Sequence, residues 1–211
     1  MKYIKKRREP ISLKQYRATP GSNYDDYRDK DDLCQALLEE QGFICCYCMQ
    51  RIKPKTAHIE HWKPLSLYPG RQLDYHNLLA VCDGNGGNPR HLQHCDRSKE
   101  DKEITVDPTK PGCEKHVKFS AGGNVYSDHE KIEEELNTVL NLNHQTLRNN
   151  RKTILDIAIR NFTAVKRDTA WSRTFLEKEI HKWESLSADG KYEPYCRIVV
   201  CYLEKKLSRY S

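Results

Sequence analysis

The sequence predicts an α+β protein in which a small module of short strands and metal-binding residues precedes a helical region. More than half of the cysteines and histidines fall in residues 43–107, where turn-forming segments such as Tyr68-Pro69-Gly70 favour short strands and long loops. From about Ser127 onward, apolar residues recur at helical spacing, for example at Ile132, Leu136 and Leu140. We therefore predict a site-bearing module at residues 31–125 and a helical region at residues 126–211.

Residues 1–30 are basic, polar and rich in turns, which predicts an N-terminal arm or a wrapped extension. The chain has a formal net charge of +6, and five cations cluster at its start: Lys2, Lys5, Lys6, Arg7 and Arg8. Such a cluster favours a polyanion electrostatically, although a solvated basic tail with no specific ligand fits the run equally well. After the arm, Leu33, Leu37 and Leu38 before Gly42 predict a short helix that leads into the cysteine-rich segment.

The composition excludes several classes of protein. No run reaches the ~18 apolar residues of a membrane span, and the N-terminus lacks the apolar block of a signal peptide, so we expect a cytoplasmic protein. In a reducing compartment nine cysteines are more typical of metal ligands than of a disulfide framework, and an odd number cannot pair completely within one chain. The chain also lacks a glycine-rich phosphate loop, which argues against nucleotide hydrolysis.

Four cysteines predict a zinc knuckle. Cys45 and Cys48 form a C-x-x-C pair, with Cys46 between them facing away, and Cys82 with Cys95 can supply a second pair across a glycine-rich insertion. Four thiolates suit tetrahedral Zn²⁺. Two alternatives stay open, because Cys82 and Cys95 could be buried as small hydrophobic residues and the adjacent His94 could replace a sulfur. The remaining cysteines predict core or surface thiols: Cys34, Cys113, Cys196 and Cys201.

A second series of residues lies between and after the cysteine pairs. It runs His58-Ile59-Glu60-His61-Trp62, then Asp74-Tyr75-His76-Asn77 before Cys82, and then Cys95-Asp96-Arg97-Ser98-Lys99. This order resembles the HNH endonuclease family, whose small ββα-metal fold carries an acidic residue and a histidine on one strand. The resemblance implies that Glu60 and Asp96 hold a divalent cation, that His61 is the general base, and that Asn77 orients the His61 ring through a hydrogen bond.

The chemistry that this resemblance implies is hydrolysis of a phosphodiester bond. Mg²⁺ or Mn²⁺ suits the oxygen ligands of Glu60 and Asp96, and such an ion would neutralise charge on the scissile phosphate while neutral His61 takes a proton from water. Three cationic residues near the series are candidates for phosphate contacts: Lys63, Arg97 and Lys99.

The chain departs from the family pattern at two points. Many members have a histidine where this chain has Asp96, although aspartate is also a competent ligand for a hard cation. The gap between Cys82 and Cys95 is twelve residues, against two in the usual pattern. Three histidines therefore stay open as alternative ligands: His58, His91 and His94.

The resemblance extends beyond this series. Asp107-Pro108, the Gly122-Gly123 turn, and Leu140-Asn141-Leu142-Asn143 followed by Arg148 and Arg151 are similar to the PtuB-type nuclease subunits of Septu and retron-associated anti-phage systems, as is Arg7-Arg8-Glu9-Pro10. It implies a DNA or RNA substrate, including tRNA, and a partner ATPase of the ABC type (PtuA-like). In the retron-associated forms it also implies a reverse transcriptase with its msDNA. The helical region would then dock a partner.

Two other functions are compatible with the sequence. The chain could be a non-catalytic zinc-knuckle module that holds nucleic acid with its basic arm, or a helical adaptor whose knuckle is purely structural. Strand scission that depends on a divalent metal separates the nuclease from the binding module. Tolerance of substitution at Glu60 and His61 would identify the adaptor.

Overall fold

The computed structural model describes residues 1–165 and 171–210. The α-helices are α1 (Ile11–Arg17), α2 (Lys30–Glu40), α3 (Asp96–Lys99), α4 (Glu130–Glu134), α5 (Gln145–Val165), α6 (Arg173–Glu184) and α7 (Cys196–Leu207). The strands are β1 (Ala57–His61), β2 (Leu78–Cys82), β3 (Lys118–Phe119) and β4 (Val125–Tyr126). One π-helical turn spans Glu135–Val139, and short 3₁₀ turns lie at Pro54–Thr56, Pro69–Arg71, Tyr75–Asn77, Arg90–Leu92, Cys113–His116 and Ser208–Tyr210.

The predicted mixture of short strands and helices is confirmed. β1 and β2 pair antiparallel, as do β3 and β4, and the β3–β4 hairpin turns at the predicted Gly122-Gly123-Asn124 segment. The helical pattern from Ser127 onward is also confirmed, with Ile132, Leu136 and Leu140 buried. Within the described residues, no helix combines the length and the apolar composition that crossing a bilayer would require.

The N-terminal segment packs against the body of the protein. Met1, Ile4 and Leu13 are buried in the core, and the backbone amide of Ile4 donates to the carbonyl of Pro108 at 2.8 Å. The Lys6 ammonium pairs with Glu40 and donates to the carbonyl of Leu78 at 2.9 Å. The first 13 residues therefore pack onto the body of the protein and supply core side chains, and the binding of a polyanion by this segment stays a prediction.

Strand β2 lies at the centre of the site-bearing module. All five of its residues are buried, which leaves its backbone polar groups in need of partners inside the protein. The Gln41 side chain, just after α2, supplies two of them: its Oε1 accepts from the amide of Ala80 at 2.7 Å, and its Nε2 donates to the carbonyl of Ala80 at 2.8 Å. Gln41 thus makes the backbone hydrogen bonds that a neighbouring strand would make, and it holds the end of α2 against the β1–β2 hairpin.

The helical region is joined to the site-bearing module by the segment 140–143. The carbonyl of Leu140 accepts from the amide of Cys95 at 2.9 Å, and Asn141 Nδ2 donates to the carbonyl of Gln93 at 2.7 Å. The buried Arg151 of α5 holds this segment, because its guanidinium donates to the carbonyls of Leu142 and Gly123, both at 2.6 Å. These contacts set the position of the loop that precedes α3.

Candidate functional site

The four predicted zinc-binding cysteines come together in one buried cluster. Their sulfur atoms all lie within 4.8 Å of one another, and the Cys45–Cys95 and Cys48–Cys82 Sγ–Sγ distances are both 3.9 Å. A tetrahedron with Zn–S bonds of about 2.3 Å has edges of about 3.8 Å, which two of these sulfur pairs match and to which the others come within about 1 Å. The four thiols therefore fit a tetrahedral metal site, and Cys46 lies outside this group, as predicted.

A tight turn and an ordered loop produce this geometry. In the first pair, the amide of Cys45 donates to the carbonyl of Gln50 and the amide of Met49 to the carbonyl of Cys45, which reverses the chain around the C-x-x-C. In the second pair, the amide of His94 donates to the carbonyl of Gly84 at 3.0 Å and closes the long insertion. Gly84 has φ +63°, and a Cβ there would lie 2.4 Å from the His94 carbonyl oxygen, so only glycine allows this closure.

The two histidines of the insertion lie outside the sulfur cluster. His94 is buried with its Nδ1 3.2 Å from Cys95 Sγ and 4.0 Å from Cys82 Sγ, in position to support a thiolate from the side. His91 is exposed, and its carbonyl accepts from Asn141. His58, the third open alternative, turns its half-buried ring toward Asp83, with 3.3 Å between Nε2 and Oδ1.

Glu60 is buried at the end of β1, where three polar groups surround its carboxylate. Tyr47 donates its hydroxyl to Glu60 Oε1 at 2.7 Å, and the Lys99 ammonium lies 2.8 Å from the same oxygen. Burial, together with the neighbouring Asp96 carboxylate, raises the pKa of Glu60 to about 8, although Lys99 opposes the shift. Two carboxyl groups held together in a poorly hydrated place are a donor set that a divalent cation would stabilise.

Helix α3 brings Asp96 and Lys99 to Glu60 together. The two residues are three positions apart, so they share one face of the helix. Asp96 is half-buried and lies on the wall of a depression of about 440 Å³, which Asp83, Arg97 and Glu100 also line. The depression thus gives solvent access to Asp96, while Glu60 lies buried behind it, and the carboxylate oxygens of both residues are of the kind that Mg²⁺ or Mn²⁺ prefers.

The His61 ring is held by a backbone carbonyl and by an aromatic ring. His61 Nε2 lies 2.9 Å from the carbonyl oxygen of Gln72, which can only accept, so Nε2 carries the proton and Nδ1 keeps its lone pair in the neutral ring. The Tyr24 ring meets the imidazole edge-on, with the centroids 4.6 Å apart. Burial lowers the pKa of His61 below its ordinary value. The neutral, basic form of the ring is therefore favoured at neutral pH.

Asn77 contacts the chain next to His61 and holds its backbone. Its side chain is completely buried; Oδ1 accepts from the amide of Lys63 at 2.8 Å, and Nδ2 donates to the carbonyl of Lys63 at 3.0 Å. Among the described residues its side chain has no hydrogen bond to the imidazole. The expected direct contact is corrected, because the Gln72 carbonyl takes that place and Asn77 fixes the loop two residues after His61.

The structure corrects the expected phosphate contacts. Lys99 is fully buried against Glu60 and donates to the carbonyl of His61 at 3.3 Å, so it cannot also meet a phosphate from solvent. Lys63 pairs with Glu103, and its ammonium lies 4.9 Å from the centre of the Trp62 ring. Arg97 remains exposed on the wall of the depression beside Asp96.

Several residues around the site carried no signal in the sequence. Tyr24 comes from the N-terminal segment and Gln72 from a loop, and neither belongs to a spacing pattern. Their backbone and side chains are linked, because Gln72 Oε1 accepts from the amide of Tyr24 at 2.9 Å. Tyr47 could have been noticed, since a tyrosine buried inside the C-x-x-C turn requires a partner for its hydroxyl.

Comparison with known proteins points in the same direction. No family model matches the chain. The chain is similar to a protein named "Retron Vc95 putative HNH endonuclease" from Vibrio cholerae serotype O1 biovar El Tor, with 25% identity over 124 residues. The matched part is 57% of this chain and 57% of that protein, so the chain spans little more than half of the curated relative. This similarity supports a relationship to HNH nucleases at the level of the family.

Proposed function

We propose that this chain is a metal-dependent endonuclease of the HNH type that hydrolyses phosphodiester bonds in DNA or RNA. The observation that carries the proposal is that α3 meets the end of β1: Lys99 of α3 lies 2.8 Å from Glu60 Oε1 and donates to the carbonyl of His61 at 3.3 Å, which brings Asp96 close to Glu60. The neutral His61 ring keeps its lone pair on Nδ1. The order of elements, with the β1–β2 hairpin followed by α3, supports a ββα-metal module. The similarity to a protein named as an HNH endonuclease supports the same reaction.

In this proposal each residue has one role. Glu60 and Asp96 hold Mg²⁺ or Mn²⁺, which when bound neutralises charge on the scissile phosphate and on its leaving oxygen. His61 Nδ1 accepts a proton from the attacking water, while the Gln72 carbonyl fixes the other ring nitrogen. Asn77 keeps the backbone after His61 in place. The four-cysteine cluster holds a structural zinc that fixes the start of α3, because Cys95 directly precedes Asp96.

The test is cleavage of plasmid DNA, single-stranded DNA and RNA, including tRNA, with added Mg²⁺ or Mn²⁺. The His61→Ala variant should lose roughly 10²–10⁴ in rate, because a positioned base acts in the transition state, and it should keep its fold, zinc content and binding of nucleic acid. His181→Ala, at an exposed position of α6, is the matched control and should cleave like the wild type.

Three results would decide against parts of the proposal. Wild-type protein that binds nucleic acid but never cleaves it with either metal would identify a non-catalytic binding module. Normal cleavage by His61→Ala together with loss in His58→Ala would move the base to His58. Normal cleavage by both variants would reject the HNH mechanism.

We also propose that the chain is the effector subunit of an anti-phage defence complex with an ABC-type ATPase. The name of the Vibrio cholerae relative supports a retron context, in which a reverse transcriptase and its msDNA would be further partners. The helical region offers a docking face, because a depression of about 330 Å³ there is lined by Phe119, half-exposed Tyr126 and the α7 cations Lys205 and Lys206.

Co-purification with a co-expressed ABC-type ATPase tests the partner proposal. Deletion of residues 1–30 would be a poor test, because that segment contributes core side chains. Tyr126→Ser combined with Lys205→Glu should reduce co-purification, whereas Leu67→Ser, at a residue 57% exposed in the site-bearing module, should not. Equal recovery of the ATPase with all variants would argue against docking at this face.

A further inference from the structure

The N-terminal segment and residues 75–76 form a basic cavity. A depression of about 280 Å³ is lined by four cationic side chains, Arg7, Arg8, Lys14 and Arg17, together with Tyr75 and His76. One carboxylate, Glu9, also lies on its wall and pairs with Arg17 at 2.8 Å. The wall therefore keeps an excess of positive charge, and a concave surface concentrates the field of such charges.

Three of these cations are available to a ligand. Arg7, Arg8 and Lys14 are exposed, and among residues 1–165 and 171–210 none of them has an ion-pair partner. Two nearby lysines are ion-paired instead: Lys2 pairs with Glu114, and Lys6 is buried against Glu40. Of the basic run at the start of the chain, Arg7 and Arg8 therefore stay unpaired and line the cavity, where Lys14 of α1 joins them.

The cavity rests on the segment that holds His61. Arg17 Nη1 donates to the carbonyl of Leu73 at 3.2 Å, and the preceding residue, Gln72, accepts from the His61 ring at 2.9 Å. On its other side, His76 directly precedes Asn77, whose side chain fixes the loop after His61. A polyanion bound in the cavity would therefore contact the segment of residues 72–77 that holds the His61 ring and the loop after it.

From these observations we propose that Arg7, Arg8 and Lys14 bind the phosphate backbone of a nucleic acid and seat the strand next to His61. The proposal rests on the proposed nuclease function, and it assigns phosphate contacts that differ from the ones expected from the sequence. Of those, Lys99 is buried and Lys63 is paired with Glu103. Arginine guanidinium groups suit this role, because their planar donors match two phosphate oxygens at once.

The experiment measures binding of fluorescent duplex DNA, single-stranded DNA and RNA as a function of salt, without added Mg²⁺ or Mn²⁺. The variant is Arg7→Gln/Arg8→Gln/Lys14→Gln. Its control, Arg160→Gln/Lys178→Gln/Lys182→Gln, removes the same number of exposed cations from α5 and α6. Each lost phosphate contact should flatten the plot of log K against log salt by about 0.7–0.9 units, so three contacts give roughly 2–3 units.

The expected result for the triple variant is binding roughly 10- to 100-fold weaker at 0.1 M salt, with the flatter slope, whereas the control keeps the wild-type slope. Arg8→Gln alone alters a single exposed side chain and should remove about one unit of slope. Binding and slope equal to the wild type in the triple variant would overturn the inference, even if cleavage persists and the nuclease proposal stands. An equal flattening of the slope in the triple variant and in the control variant would also overturn it. Any exposed cation would then contribute equally to binding of the nucleic acid. Wild-type protein that binds but does not cleave would reject the nuclease and leave the binding site supported.

Discussion

Replacement of Asn77 by alanine should destabilise the protein and slow cleavage together. The side chain is completely buried and makes hydrogen bonds of 2.8 and 3.0 Å to the amide and carbonyl of Lys63, and its third contact, to the carbonyl of Arg71, is 3.4 Å long and weak. Each buried polar group left without a partner costs about 1–3 kcal/mol. The amide and carbonyl of Lys63 are only partly buried, which lowers the cost of leaving them unpaired. We therefore expect a loss of about 2–4 kcal/mol in the free energy of unfolding.

Urea unfolding at a fixed zinc concentration measures this loss, since bound metal contributes to folding, and cleavage is measured on the same samples. Asn77→Asp is the matched variant: it keeps the acceptor for the Lys63 amide but loses the donor and buries a charge, so it should be at least as unstable as Asn77→Ala. A variant that unfolds within about 0.5 kcal/mol of the wild type but fails to cleave would refute this reasoning. Asn77 would then act on the catalytic ring and not on the backbone.

Three further predictions follow from the site. Cys48→Ser should lower the zinc content and destabilise the fold, because a structural zinc contributes on the order of 10 kcal/mol in small zinc modules. Cys46→Ser should keep the metal. Equal zinc content in both variants, measured by elemental analysis, would reject the assigned ligands. Tyr24→Ala should lower the cleavage rate roughly 10- to 100-fold, because the His61 imidazole would lose the ring that holds its orientation. Tyr24→Phe keeps that ring and should cleave nearly normally. A lower cleavage rate in Tyr24→Phe would show that the Tyr24 hydroxyl acts instead of the ring. Lys99→Met should cost up to about 3 kcal/mol in urea unfolding above pH 8, where the Glu60 carboxyl is ionised and would lose its buried cation. Lys99→Met/Glu60→Gln should recover most of that loss, and no recovery would mean that Lys99 acts through packing alone.

The sequence by itself determined the local features of this protein. The spacing of Cys45 and Cys48 encodes a tight turn that presents two sulfurs to one point, and the apolar periodicity from Ser127 encodes the helices, because both signals are complete within a few neighbouring residues. The order of Glu60, His61 and Asp96 along the chain also predicted a relationship to HNH nucleases. The similarity to the Vibrio cholerae protein supports that relationship.

Only the tertiary structure decided which charged and polar side chains are free to act. In the sequence Lys99 and Arg8 are both candidate cations for a nucleic acid, yet one is buried against Glu60 and the other is exposed in a cavity. The hydrogen bond to the His61 ring that was expected from Asn77 comes instead from the backbone carbonyl of Gln72, while the Asn77 amide donates to the carbonyl of Lys63. The physical reason is that the protonation, exposure and orientation of a side chain depend on the groups that contact it in the folded protein. These groups are distant along the chain, so local sequence patterns do not reveal them.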